Sequence, residues 1–181
     1  MITPSKSKVF LTSFLFSLVS FLLYFYVTQT VKDEIKFSKL SDSVYVTEQI
    51  KESDLDVIKK HGFTTLIDLR PDGESLDQTP SSKIQLASST RNINFYYIPV
   101  PHGQMPDNAV NQLQAVLSKK PQSTLLYCRS GNRASRAFAL VEASRKDGPD
   151  IQSILAMVKS TGHSADDLRP EIERRMANRR V

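Results

Sequence analysis

The chain opens on its longest apolar stretch, Val9 to Val27, which is 19 residues without a charged side chain (VFLTSFLFSLVSFLLYFYV). As a helix rising 1.5 Å per residue it reaches about 28 Å, one hydrocarbon thickness. It ends in Tyr24-Phe25-Tyr26-Val27-Thr28-Gln29, aromatic side chains that suit a membrane interface, with no small-residue cleavage site of the signal-peptide kind. A retained single transmembrane helix is expected over residues 9–27, after a short basic N-terminus over 1–8. Residues 28–40 read as a charged linker and 41–181 as one domain.

Within that domain, short apolar runs alternate with amphipathic ones. Val44-Tyr45-Val46 predicts a brief strand, and Ser53 caps a helix through Lys60 with Leu55 and Ile58 inward and Gly62 as its stop. Thr64 to Leu69 reads as a buried strand closed by the turn Pro71-Asp72-Gly73. Residues 75–93 are polar, with room for one short helix. Asn94 to Val100 forms another strand, stopped by Pro99 and Pro101. Asp107 can cap a helix to Ser118 whose Val110, Leu113, Val116 and Leu117 make one apolar stripe, a core face rather than a ligand box. Ser123 to Tyr127 is a further strand, and Ala134 to Arg145 a helix with Ala137, Leu140 and Val141 inward. Pro149-Asp150 starts another helix, and Ser164 caps the last. Strands alternating with helices predict an α/β domain, a mostly parallel sheet flanked by helices, with ligands beyond the carboxyl ends of the strands.

Composition narrows the function classes. Of 181 residues, 40% are hydrophobic and 24% charged, so a folded core is expected and disorder is not. The net charge of +5 owes much to Arg169, Arg174, Arg175, Arg179 and Arg180 near the C-terminus. Those arginines read as a solvated helix end that offsets the helix dipole, so no nucleic-acid partner is expected. One cysteine excludes an intramolecular disulfide and a CxxC pair, and three scattered histidines make no metal site; no cofactor is expected.

A lone cysteine is ordinarily buried filler. Cys128 is set apart by its neighbours, Tyr127-Cys128-Arg129-Ser130-Gly131-Asn132-Arg133, between a buried strand and a helix. Successive backbone N–H groups of Arg129, Ser130, Gly131, Asn132 and Arg133 can curl into a nest for an anion, and the helix N-terminus adds its own unpaired donors. Gly131 permits the curl. Arg133 can return its forked guanidinium to two oxygens of a bound oxyanion. The same field favours a thiolate at Cys128.

The loop Cys-Arg-Ser-Gly-Asn-Arg resembles that of rhodanese sulfurtransferases. The wider frame resembles bacterial protein-tyrosine-phosphatase-like proteins, including the beta-lactamase-hydrolase-like phosphatase-like domain. That frame comprises Val44 to Gln49, Gly62-Phe63 leading into Leu66 to Pro71, Tyr97 to Val100, and Leu126-Tyr127-Cys128 through Arg133-Ala134-Ser135, about residues 40 to 145. The His-Ile-Pro-Gly-Ala-like segment of rhodaneses is missing, so the fold is identified as phosphatase-like. Tyrosine phosphatases have five residues between Cys and Arg where this chain has four, and Tyr127 replaces their usual His.

The resemblance implies a phosphomonoesterase in which Cys128 attacks phosphorus, Arg133 and the loop amides hold the oxygens, and a general acid follows the Tyr97–Val100 strand. Asp107 and His102 are its candidates, each weighed against a helix cap and a surface loop residue. One alternative is sulfur transfer through a Cys128 persulfide; another is a non-catalytic, membrane-tethered oxyanion-binding module. The expected partners are an anionic small molecule or phosphorylated substrate, and a membrane. The basic residues flanking the apolar run leave orientation open. The short N-terminus favours export of the domain to the periplasmic side, with the cytoplasmic side as the alternative.

Overall fold

The computed structural model describes residues 17–21 and 35–180. Residues 17–21 are helical and exposed; the rest of the expected membrane segment, 9–27, lies outside the described residues. Among those described, no helix is long and apolar enough to cross a membrane.

From Lys36 onward the chain builds a five-stranded sheet in the order β1-β2-β5-β3-β4, with β1 Ser38–Lys39, β2 Val44–Thr47, β3 Thr65–Asp68, β4 Asn94–Tyr97 and β5 Thr124–Tyr127. β1 runs antiparallel to β2; all other pairs are parallel, with Asp68 opposite both Tyr97 and Tyr127, and Thr47 opposite Tyr127. The mostly parallel sheet flanked by helices is thus observed. Residues 38–39, taken as linker for their polarity, instead add an edge strand, because the turn Leu40–Ser43 folds them back on Val44.

Every residue of β3 and β5 is buried, as continuous apolar runs in a central parallel strand should be. Alternate side chains divide two cores. Val44, Val46, Ile67, Leu126 and Cys128 pack toward the helices α3 (Asp107–Leu117), α4 (Asn132–Ser144), α5 (Ile151–Ser160) and α6 (Arg169–Ala177). Leu66, Leu125 and Tyr127 lie on the opposite face, where α1 (Leu55–Lys60) and α2 (Ser81–Ser89) contribute buried Leu55, Ile58 and Ile84.

Caps shift several boundaries. The hydroxyl of Ser53 does not cap α1; a 3-10 turn over Glu52–Asp54 precedes it, and Asp54 is the N-cap. Asp150 caps α5 as expected, accepting from the Ser153 N–H at 2.9 Å. Ser164 accepts from the Asp166 N–H and opens a 3-10 turn that leads into α6. α4 begins at Asn132, earlier than the apolar pattern indicated, because Gly131 at φ 87° sets the helix start. β4 stops at Tyr97, ahead of Pro99, which has no N–H to give the ladder.

Candidate active site

β5 delivers Cys128 beyond the carboxyl edge of the sheet, and the chain then turns through Arg129 and Ser130 into α4. Two bonds brace this turn: the Gln49 N–H donates to the Arg129 carbonyl at 3.2 Å, and the Ser135 N–H to the Gly131 carbonyl at 2.9 Å. Gly131 is favoured by shape as well as by torsion. A Cβ there would stand 3.0 Å from Nε2 of His163 and 3.4 Å from the Thr47 carbonyl oxygen.

Among the described residues, no backbone group accepts from the N–H groups of Arg129, Ser130, Gly131, Asn132 or Arg133. Five consecutive unbonded donors around one turn are an open anion cradle.

Arg133 completes the cradle by a route that differs from expectation. Its guanidinium fork is held by Glu74, with Nη1 donating to Oε1 at 2.6 Å and Nη2 to Oε2 at 2.6 Å, while Nη1 also donates to the Val100 carbonyl at 2.7 Å. Arg70 supports Glu74 through Nε at 3.0 Å, and is itself fixed by Gln49 and Ser75. Of the five guanidinium N–H groups three are thus engaged, leaving Nε–H and one Nη2–H for an anion. The fork expected to grip a substrate is the edge that Glu74 holds.

The charges answer one another. Burial opposes the positive charge of Arg133, but its hydrogen bonds to Glu74 and the nearby Cys128 sulfur hold its pKa above the ordinary arginine value. Glu74 is held below the usual carboxylate range, first by Arg133 and then by Arg70. Cys128 itself is 1% exposed and belongs to the main core, yet the buried Arg133 interacts with its sulfur. It is therefore not filler surrounded by aliphatic groups alone.

Above the loop opens a pocket of about 690 Å³. Arg129, Ser130, Asn132, Arg133 and Arg136 form one wall, His102 to Met105 a second, and Asp167 with Leu168 a third. Loop residues and His102 thus come together as the sequence suggested. Asp107 does not. It is the first residue of α3, with Pro106 as the N-cap, and lines a separate cleft where Arg175 Nη2 bonds its carboxylate and Arg174 stands 3.6 Å away. Its carboxylate is engaged by that pair and is absent from the pocket wall.

Beneath the pocket, on the other face of the sheet, Asp68 is 2% exposed. Burial pushes its carboxyl up to about 6, against the Arg70 N–H at 2.8 Å and the neighbouring Tyr127 hydroxyl. That hydroxyl is buried without a well-formed hydrogen bond, and burial followed by the charge of Asp68 raises its own pKa. Tyr127 thus turns away from the pocket it precedes. Among the described residues no cluster of His, Cys, Asp and Glu could hold a metal ion.

An open amide cradle at the end of a central parallel strand, with a sulfhydryl at its start and an inward arginine at its end, defines a cysteine-phosphatase-like α/β protein. Residues 36–145 match the model of the beta-lactamase hydrolase-like protein, phosphatase-like domain, and the chain belongs to that family. A beta-lactamase hydrolase-like protein of Xylella fastidiosa is 24% identical over 108 residues, 60% of this chain and 25% of the relative. The chain therefore spans about a quarter of such relatives. Among solved structures, a candidate phosphatase of Neisseria meningitidis superposes with a TM-score of 0.65 at 23% identity, covering 76% of this chain and 96% of the other. TpbA of P. aeruginosa, in complex with phosphotyrosine, superposes with a TM-score of 0.55 at 16% identity, covering 82% and 94%.

Glu74 and Arg70 are the site residues that sequence reasoning missed. The signal available was an Arg-Pro-Asp-Gly-Glu turn at the carboxyl end of a buried strand, where ligands of parallel sheets collect.

Proposed function

We propose that this domain hydrolyses a phosphomonoester through Cys128. The observation that carries the reading is the set of unbonded donors in the loop that follows the sulfur, five backbone N–H groups and two of Arg133. They fit the equatorial oxygens of a phosphoryl group and the charge that grows on them as it transfers. In the first step the Cys128 thiolate attacks phosphorus, the P–O bond to the leaving group breaks, and His102 donates a proton to the departing oxygen. In the second, water attacks the phosphocysteine, the P–S bond breaks, and phosphate leaves as the thiolate is restored. The phosphotyrosine bound in TpbA supports a phosphorylated, anionic substrate for the shared fold.

Two observations favour a second reading: only four residues separate Cys128 from Arg133, and Asp107 is committed to Arg175. Sulfur transfer needs no general acid. The thiolate would take the outer sulfur of thiosulfate as a persulfide, releasing sulfite, and pass it to cyanide or a thiol.

The test uses the full chain in detergent with Cys128→Ser and Arg133→Ala, assayed with an aryl phosphate and separately with thiosulfate plus cyanide. Phosphate release abolished in both variants supports the first reading. Thiocyanate formation with a one-sulfur mass gain on Cys128 replaces it with the second, and silence in both assays with oxyanion binding retained leaves a non-catalytic module. The apolar run of residues 9–27 supports tethering of the domain to a membrane, on the exported side. Retention in the membrane pellet after carbonate washing and protease access from the periplasm in spheroplasts are the results expected.

A further inference from the structure

We propose that Arg129 and Arg136 form a second anion subsite in the pocket above the Cys128 loop, so that the substrate is a phosphomonoester carrying a second anionic group. The inference rests on the phosphomonoester reading of Cys128 and names the substrate class for it.

Three arginines but a single carboxylate, Asp167, line the pocket. Arg133 has three of its five N–H groups on Glu74 and Val100, and the two that remain belong to the phosphoryl group at Cys128. Arg129 has no such employment. Its backbone is fixed by the Gln49 N–H, while its exposed side chain makes no hydrogen bond or contact ion pair among the described residues and feels the exposed Asp77 only through longer-range charge. An arginine rigidly rooted one residue from the nucleophile, with its whole guanidinium open, is a ready partner for a carboxylate or phosphate.

Arg136 follows Arg133 by three positions on α4 and so shares its face. It is pre-set rather than free: Nη1 donates to Asp167 Oδ1 at 2.6 Å and to the Ser164 carbonyl at 3.1 Å, and Nη2 to Asp167 Oδ2 at 2.7 Å. Its Nε–H and one Nη2–H remain. Asp167 pairs with Arg136, and Asp77, which is outside the lining, couples to Arg129 only at longer range, so three arginines against one lining carboxylate leave the wall cationic. Met105, Leu168 and the His102 ring complete the lining. A short charged arm would find two forks there.

The experiment compares 3-phosphoglycerate with glycerol 3-phosphate, which match in size and differ by a carboxylate in place of a hydroxymethyl group, on the full chain in detergent at low salt. We expect kcat/KM to favour 3-phosphoglycerate by about tenfold, the scale of one charge-assisted bidentate contact. In Arg129→Gln the ratio of the two values should fall to about one, and in Arg136→Gln it should fall part of the way. Equal kcat/KM for the two esters in the unmodified chain, or a ratio that survives Arg129→Gln, overturns the proposal. Calorimetric titration of Cys128→Ser with the same two esters separates the subsite from the chemistry. A preference retained in binding with no turnover of either ester keeps the subsite and removes the phosphatase reading; equal binding removes the subsite whatever the turnover.

Discussion

Glu74→Gln is the perturbation that most directly probes the built site. The wild-type carboxylate takes two 2.6 Å bonds from Arg133 and one of 3.0 Å from Arg70, and both arginines are nearly buried, 8% and 3% exposed. Gln keeps the shape and one accepting oxygen, but turns an NH2 group toward a guanidinium that can only donate. Removing one partner of a buried pair costs about 3–5 kcal/mol. Glu74 keeps a side-chain exposure of 20% and Gln retains one acceptor, so about 2–3 kcal/mol is expected here. For a domain of this size that lowers the melting temperature by roughly 4–12 °C. The functional loss should be larger in rate than in binding. The amide cradle survives, but Arg133 is no longer fixed, and a shift of about 1 Å in a positioning group costs about a hundredfold in kcat. Product inhibition by phosphate should meanwhile stay the same or tighten, since a cation has lost its internal counter-ion. The assay is steady-state hydrolysis of an aryl phosphate with phosphate as inhibitor, alongside urea unfolding. A Glu74→Gln protein with kcat within twofold of wild type and an unchanged unfolding midpoint would refute the claim that Glu74 sets Arg133.

Three further outcomes follow from the geometry. Gly131→Ala puts a Cβ at 3.0 Å from His163 on a backbone with φ 87°; strain of about 1–3 kcal/mol should lower the unfolding midpoint and weaken phosphate binding together, as seen by titration calorimetry. Asp107→Ala removes a largely exposed partner of Arg175, which keeps Glu171 at 2.6 Å and Ser144 at 3.0 Å. Stability should drop by about 1 kcal/mol or less and kcat should stay within a few-fold, whereas a loss of a hundredfold or more would restore it as the general acid. Asp68 holds its proton to about pH 6 in the fold against 3.8 unfolded. Its contribution to stability is therefore whole below pH 4 and fades as pH rises to 6, by about 3 kcal/mol in all. Glu74 and Asp167, with lowered pKa values, act in the opposite sense, so the quantity to measure is the difference between wild type and Asp68→Asn in urea unfolding from pH 4 to 8. The variant should gain on wild type as pH rises; parallel profiles would show that Asp68 is not buried with its charge.

What could be read along the chain was whatever the chain makes locally. Apolar runs at 65–69 and 124–127 bounded by turn residues announced buried parallel strands, because a central strand is covered on both faces. The strand, turn, Gly131 and helix start around Cys128 were equally legible, since they are contiguous and leave their amides without backbone partners. The apolar run 9–27 remains a statement of the sequence. Tertiary structure decided which distant groups face that cradle. Glu74 lies 59 positions from Arg133 in a polar stretch without periodicity, and only the pairing of β3 beside β5 sets it under the guanidinium. Asp107 was the nearest carboxylate after the Tyr97–Val100 strand, but α6 folds Arg175 against it. Asp167 and Arg136, 31 positions apart, meet for the same reason. Backbone hydrogen bonding and hydrophobic alternation act over a few residues and leave a periodic trace; charge pairing across elements depends on positions in space and leaves none.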